Sequence, residues 1–323
     1  MAENYVKPIV LERADPWIYK HSDGYYYFTG SKPGYQEIEI RRAKKLSDLE
    51  NGESKVVWTA HEQGPMSQLI WAPELHFIHG KWYIYFAASD DAKVRDEQHH
   101  HRMYVIENSN EDPFEGTWQE KGQIKTQFES FSLDATVFEH RNKLYYVWAQ
   151  LDPNIPGNSN LYLSEMQNPW TLKGKQILLS MPTYDWEKRG FMVNEAPAVI
   201  LRNGKVFITY SASATDENYA MGLLWANEES DLLNGYSWHK EKEPVFSSSE
   251  RNSLYGPGHN SFTIDEENIR DVLVYHARPE KNKTGDPLEN PNRHAYIQIF
   301  SWDENGMPVF GEPGTVSGVL SGV

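Results

Sequence analysis

Three carboxylates stand in similar company: Asp15 in Ala14-Asp15-Pro16, Asp134 in Leu133-Asp134-Ala135 and Glu195 in Asn194-Glu195-Ala196-Pro197, each beside small or rigid neighbours. Trp71-Ala72-Pro73-Glu74 and Gly256-Pro257-Gly258-His259-Asn260 repeat the arrangement around Glu74 and His259. Grouped carboxylates carry out acid/base hydrolysis of a glycosidic or similar bond, hold a metal, or belong to solvated surface. For one Asp in a turn the solvated reading is the natural one. Like charges gathered at one place repel, so a cluster is expected only where it acts. What these residues do therefore depends on whether the fold brings the five segments together.

An internal repeat indicates that it does. A turn followed by an aromatic and β-branched run occurs five times, beginning Asp23-Gly24-Tyr25-Tyr26, His79-Gly80-Lys81-Trp82, Asn142-Lys143-Leu144-Tyr145, Asn203-Gly204-Lys205-Val206 and Arg270-Asp271-Val272-Leu273. The first strand residues after the turns, at 25, 82, 144, 206 and 273, are 57, 62, 62 and 67 residues apart, so five units fill almost the whole chain. Each unit goes on to a second strand and a polar turn, as in Arg102-Met103-Tyr104-Val105-Ile106 before Asn110-Glu111-Asp112-Pro113. No segment keeps a helical apolar period over three turns.

Four short strands in about 60 residues, repeated radially, describe a propeller blade. The predicted fold is all-β, a five-bladed β-propeller forming a single domain over residues 1–323. A two-sheet sandwich would give no reason for a five-fold period. The stretch from His294 to Trp302 is expected to complete the last sheet or to close the ring against the first blade. Asp15, Glu74, Asp134, Glu195 and His259 lie 10, 8, 10, 11 and 14 residues ahead of the five strand markers, in what should be the innermost strand of each blade. Equivalent positions in a radial repeat meet at the axis. One end of the channel should thus carry Asp15, Asp134 and Glu195, with Glu74 and His259 nearby and small neighbours letting a ligand approach the backbone.

Composition narrows the partners. Lys and Arg number 31 against 46 Asp and Glu, a net charge of −15, and the basic residues are scattered. Nucleic acid and anionic membrane are poor partners for such a chain. Aromatics make up 13% of it, enough to fill a core and also to stack against sugar rings. With no Cys, disulfides and thiolate metal sites are excluded. The opening Met1-Ala2-Glu3-Asn4-Tyr5-Val6-Lys7-Pro8 lacks a basic, then apolar, leader pattern, which points to a cytoplasmic protein.

The acidic motifs Ala14-Asp15-Pro16, Ser132-Leu133-Asp134-Ala135 and Val193-Asn194-Glu195-Ala196-Pro197, in that order, resemble glycoside hydrolase family 43 over essentially the full chain. Trp71-Ala72-Pro73-Glu74 and Ser211-Ala212-Ser213-Ala214-Thr215-Asp216 look most like its exo-acting α-L-arabinofuranosidases. The resemblance implies an inverting hydrolase that releases terminal α-L-arabinofuranose from 1,5-linked arabino-oligosaccharides or arabinan. It assigns Asp15 as general base, Glu195 as general acid and Asp134 as the carboxylate that tunes the acid. Inversion needs the two acting groups about 6.5–9.5 Å apart, with Glu195 kept protonated and Asp15 ionised.

Around the sugar, the resemblance points to Arg278 and Trp71. Strand alternation puts Trp17 on the same side as Asp15. His259 resembles an axial histidine that touches a water-bound metal, usually calcium, with a structural or electrostatic role; the chemistry itself requires no cofactor. His99-His100-His101, with Asp90, Asp91, Asp96 and Glu97, has the composition of a metal tract. Consecutive histidines point in different directions, so it reads as a polar loop of the second blade near the pocket rim. A β-xylosidase with the same three carboxylates and a non-catalytic carbohydrate-binding propeller are the competing functions. Exo or endo action and the oligomeric state stay open at this level.

Overall fold

Each aromatic run becomes the second strand of a sheet and is buried on both faces. Tyr26–Ser31 is buried at all six positions, and Lys143–Gln150 at every position after the first. A strand sandwiched between two neighbouring sheets has no wet face, so its sequence reads as a continuous apolar run and not as an alternation. Trp82, Trp148, Tyr85, Tyr146, Tyr210 and Tyr275 fill these layers, each burial favouring the fold by about 2–3 kcal/mol relative to exposure.

The computed structural model describes residues 7–94, 99–281 and 289–315. Five antiparallel sheets follow one another along the chain. The first is Ala14–Lys20 (β1), Tyr26–Ser31 (β2), Glu37–Ala43 (β3) and Glu53–Thr59 (β4). The second is Gln68–Ile78 (β5), Lys81–Ser89 (β6), Arg102–Asn108 (β7) and Gln119–Gln123 (β8). Ser132–His140 (β9), Lys143–Gln150 (β10), Asn160–Asn168 (β11) and Thr171–Ser180 (β12) make the third, and Asn194–Arg202 (β13), Lys205–Ala212 (β14), Ala220–Asn227 (β15) and His239–Lys240 (β16) the fourth. The fifth is Tyr255–Ile264 (β17), Asp271–Arg278 (β18) and His294–Ile299 (β19), followed by a small hairpin of Ser301–Trp302 (β20) and Pro308–Val309 (β21).

Strands β1, β5, β9, β13 and β17 each contact the next, and β17 contacts β1, which closes a five-bladed propeller. The strand read at His294 is the third of the last sheet. Beside it, Val10 bridges to Ala295, with amide to carbonyl bonds in both directions, so the start of the chain fastens the last blade to the first. Apolar clusters lie between blades: Tyr27, Ile84 and Phe86 between the first and second, Leu273, Tyr275 and Met221 between the fourth and fifth.

Candidate active site

All five inner strands carry the same irregularity. Asp15, Ala72, Asp134, Ala196 and His259 have φ of 55°, 45°, 47°, 50° and 41°, left-handed values that cost a non-glycine residue about 1–3 kcal/mol each. At each of them the pairing with the second strand slips, the mark of a β-bulge. A bulge re-aims side chains, and here five of them do so around one axis. Four of the bulge amides donate to a side chain of the preceding blade: Asp15 to His276 Nδ1 at 3.1 Å, Ala72 to Ser31 Oγ at 2.8 Å, Ala196 to Asp134 Oδ2 at 3.1 Å and His259 to Ser211 Oγ at 2.9 Å. Buried amides that would otherwise lack partners are thereby satisfied, and in these four cases one blade holds the bulge of the next.

The bulges also correct the alignment expected from sequence spacing. Asp15, Asp134 and His259 are bulge residues, whereas Glu195 and Trp71 stand one position before a bulge and Glu74 two positions after one. Residues Asp15, Asp134, Glu195, His259 and Trp71 line one pocket of about 480 Å³, as expected. Glu74 does not line it: buried, it pairs with His76 Nε2 at 2.9 Å. Burial pushes the Glu74 carboxyl well above its usual range and the His76 imidazole down to about 3, so the two form a neutral pair. Trp17 is also absent from the pocket lining. The bulge at Asp15 breaks the alternation on which its expected orientation rested, and its Nε1 donates instead to Leu75 O at 2.7 Å, with the ring against His76. Arg278, 2% exposed, is itself absent from the lining, but it donates to Thr215 O, a lining residue, and to Asn290 Oδ1, and so ties β18 to two loops, one of which forms part of the pocket wall.

Charge in the pocket is divided unevenly. Burial would raise the Asp15 carboxyl, but the positive charges of His259 and Arg293 outweigh it and hold the group well below the usual carboxylate range. His259 Nδ1 lies 3.1 Å from Asp15 Oδ1, Arg293 Nη1 lies 3.5 Å from the same oxygen, and Ser31 Oγ donates to Oδ2 at 2.5 Å. His276 Nδ1 is also 3.4 Å from Asp15 Oδ1. Burial lowers the His276 imidazole to about 4, so the ring is neutral, and a nitrogen that already accepts the Asp15 amide hydrogen has none to give the carboxylate.

His259 is pushed the other way. Burial disfavours its charge, but Asp15 and Asp134 raise it to about 9, which makes it an imidazolium among carboxylates. Glu195 is raised to about 8 by burial and by the negative charge of Asp134, against the Tyr219 hydroxyl that donates to Oε1 at 2.8 Å. Asp134 itself is raised to about 6, by burial and then by Asp15. The two titrate as a pair in which Glu195 keeps its proton to higher pH.

Sequence reasoning missed Arg293, Tyr219, His276 and Ser31. Arg293 precedes by one residue the strand recognised at His294, and nothing in its neighbours marks it. The histidine tract is split by direction. His100 pairs with Asp90 at 2.6 Å, His101 stacks on Trp71 and bonds Leu69 O, and His99 lies edge-on to Trp71 at the pocket. Asp96 and Glu97 lie outside the described residues. Among the described residues no group of three or more His, Asp or Glu side chains is disposed to hold a metal ion. His259 Nδ1 faces Asp15 and Asp134 as a charged donor, so these side chains do not fit a directly coordinated calcium, and no step below uses one.

Residues 5–308 match the sequence profile of the Glycosyl hydrolases family 43. A Streptomyces avermitilis protein named extracellular exo-α-(1→5)-L-arabinofuranosidase is 49% identical over 309 residues, covering 96% of this chain and 63% of that protein. One of the same name from Streptomyces chartreusis is 51% identical over 283 residues, 88% of this chain and 85% of that one. The crystal structure of α-L-arabinofuranosidase from Lactobacillus brevis superposes with a TM-score of 0.94 at 56% identity, covering 97% of this chain and 98% of that one. This chain thus spans less than two thirds of the Streptomyces avermitilis protein. Both Streptomyces relatives are named extracellular, which overturns the expectation of a cytoplasmic protein. With a matching profile over nearly its whole length and a fold shared with a relative of more than half identical sequence, the chain belongs to glycosyl hydrolase family 43.

Proposed function

We propose that this protein hydrolyses glycosides with inversion, releasing terminal α-L-arabinofuranose from 1,5-linked arabino-oligosaccharides or arabinan. One observation carries the reading: within a single pocket Asp15 is held ionised while Glu195 is kept protonated. Two carboxyl groups pushed apart in this way supply a base and an acid at one pH. The names of the Streptomyces and Lactobacillus relatives support the arabinofuranoside as substrate.

In this reading Asp15 takes a proton from water as its oxygen adds to the anomeric carbon, and Glu195 gives its proton to the departing oxygen. Asp134 keeps the acid protonated. The His259 imidazolium and Arg293 keep the base ionised. Trp71, backed by the His101 ring at 3.8 Å, offers an apolar wall to the sugar. The chemistry calls on carboxylates and water alone.

The test is the anomer first released from an arabino-oligosaccharide, followed by NMR, with p-nitrophenyl α-L-arabinofuranoside and p-nitrophenyl β-D-xyloside compared as substrates. The β-anomer of arabinofuranose is expected, with the arabinofuranoside preferred and Glu195→Ala slower by about 10²- to 10⁴-fold on the oligosaccharide. Cleavage of the xyloside alone would replace the substrate. Binding without sugar release, unchanged in Glu195→Ala, would make the protein a carbohydrate-binding propeller.

A further inference from the structure

Tyr219 ends the loop between β14 and β15, 1% exposed. Its ring lies parallel to His276, centroids 5.6 Å apart and planes 8° from each other. On another side it occupies the place of a missing side chain: a Cβ on Gly258 would come within 2.5 Å of the ring. The small residue in the Gly-Pro-Gly-His segment therefore makes room for Tyr219, whereas the sequence suggested room for a ligand. The hydroxyl at the end of this wedged ring has Glu195 Oε1 as its only hydrogen-bond partner among the described residues, at 2.8 Å. Glu195 Oε2 has none there, and the residue is partly open to the pocket.

We propose that Tyr219 positions the general acid: by donating its hydroxyl hydrogen to Oε1 of Glu195, it leaves Oε2 as the oxygen that carries and delivers the catalytic proton. This rests on the hydrolytic reading above. The phenol is suited to the part, because burial and the charge of Glu195 hold it neutral far above its ordinary range, so it stays a donor. In the transfer the Oε2–H bond breaks as the bond from hydrogen to the glycosidic oxygen forms. The charge left on Glu195 is then met by a hydrogen bond already in place, which strengthens as it develops. The charged and titratable groups around Glu195 are Asp134 on β9, Asp15 on β1, His259 on β17 and Tyr219 itself. Only Tyr219 among them bonds the carboxyl directly.

Tyr219→Phe keeps the ring, its stack and its fit against Gly258, and removes only the donor. On arabinotriose, whose leaving group needs protonation, kcat is expected to fall at least about tenfold with KM little changed. Hydrolysis of 2,4-dinitrophenyl α-L-arabinofuranoside, whose leaving group departs without a proton, should hold near the wild-type rate. Because the lost bond favoured the ionised acid, the alkaline limb of the kcat/KM profile should move to higher pH. Equal losses on both substrates, or an alkaline limb that stays in place, overturns the proposal. Wild-type protein inert toward both arabinofuranosides overturns the functional reading itself and the role of Tyr219 with it.

Discussion

Asp134 reaches Glu195 through the backbone: its Oδ2 accepts the amide hydrogen of Ala196, the residue that follows Glu195, at 3.1 Å. One carboxylate thus fastens the bulge that carries the acid and adds negative charge beside it. Asp134→Asn keeps an acceptor for the amide and removes the charge. Burial remains as the larger cause of the raised Glu195 pKa, so that value should fall from about 8 without returning to 4.5. The acid then ionises earlier, and the alkaline limb of kcat/KM on p-nitrophenyl α-L-arabinofuranoside shifts to lower pH, with kcat near pH 7 down at least about tenfold. An unmoved limb would show that Asp134 acts only through the backbone.

His259 stands between Asp15 and Asp134, at 3.1 and 3.8 Å, as the positive charge that makes their proximity tolerable. Its pKa is about 9 in the folded protein against an ordinary 6.5, so its contribution to stability is complete below about 6.5 and disappears as pH rises through about 9. His259→Ala should cost about 3–5 kcal/mol near pH 6, the usual effect of removing one member of a buried charged group. The deficit in Tm relative to wild type should shrink by pH 9.5. A deficit equal at both pH values would mean that the ring acts by packing and not by charge.

Period and residue type were legible because they are local. The five aromatic runs showed the blades, since a strand buried on both faces cannot hide its composition, and Asp15, Asp134, Glu195, His259 and Trp71 do meet in one pocket. Direction at the bulges was not legible. An alternation rule applied across Asp15 turned Trp17 toward the pocket, and spacing alone equated Glu74 with Glu195, because neither reading could see a left-handed residue other than glycine within a strand. Arg293 and Tyr219 escaped for a different reason. Both sit at a loop's end, where position depends on packing against other blades, Tyr219 against Gly258 and His276, Arg293 beside Asp15 and Tyr35.

Trp17 gives the sharpest check on this geometry, because the two orientations make opposite demands. Its indole N–H bonds Leu75 O in the neighbouring blade at 2.7 Å, and its ring packs on His76 with centroids 4.6 Å apart. Trp17→Phe keeps an aromatic ring and deletes the donor, leaving a carbonyl between two blades without its partner. Since the indole is partly exposed, water can replace some of the loss, and the cost should lie near about 1 kcal/mol, the low end for a buried group left unpaired. Urea unfolding should show that loss, while kcat and KM on arabino-oligosaccharides match wild type. A raised KM at unchanged stability would place the indole against the sugar, as strand alternation alone would have it, and would mean that the bulge at Asp15 does not turn the chain as described.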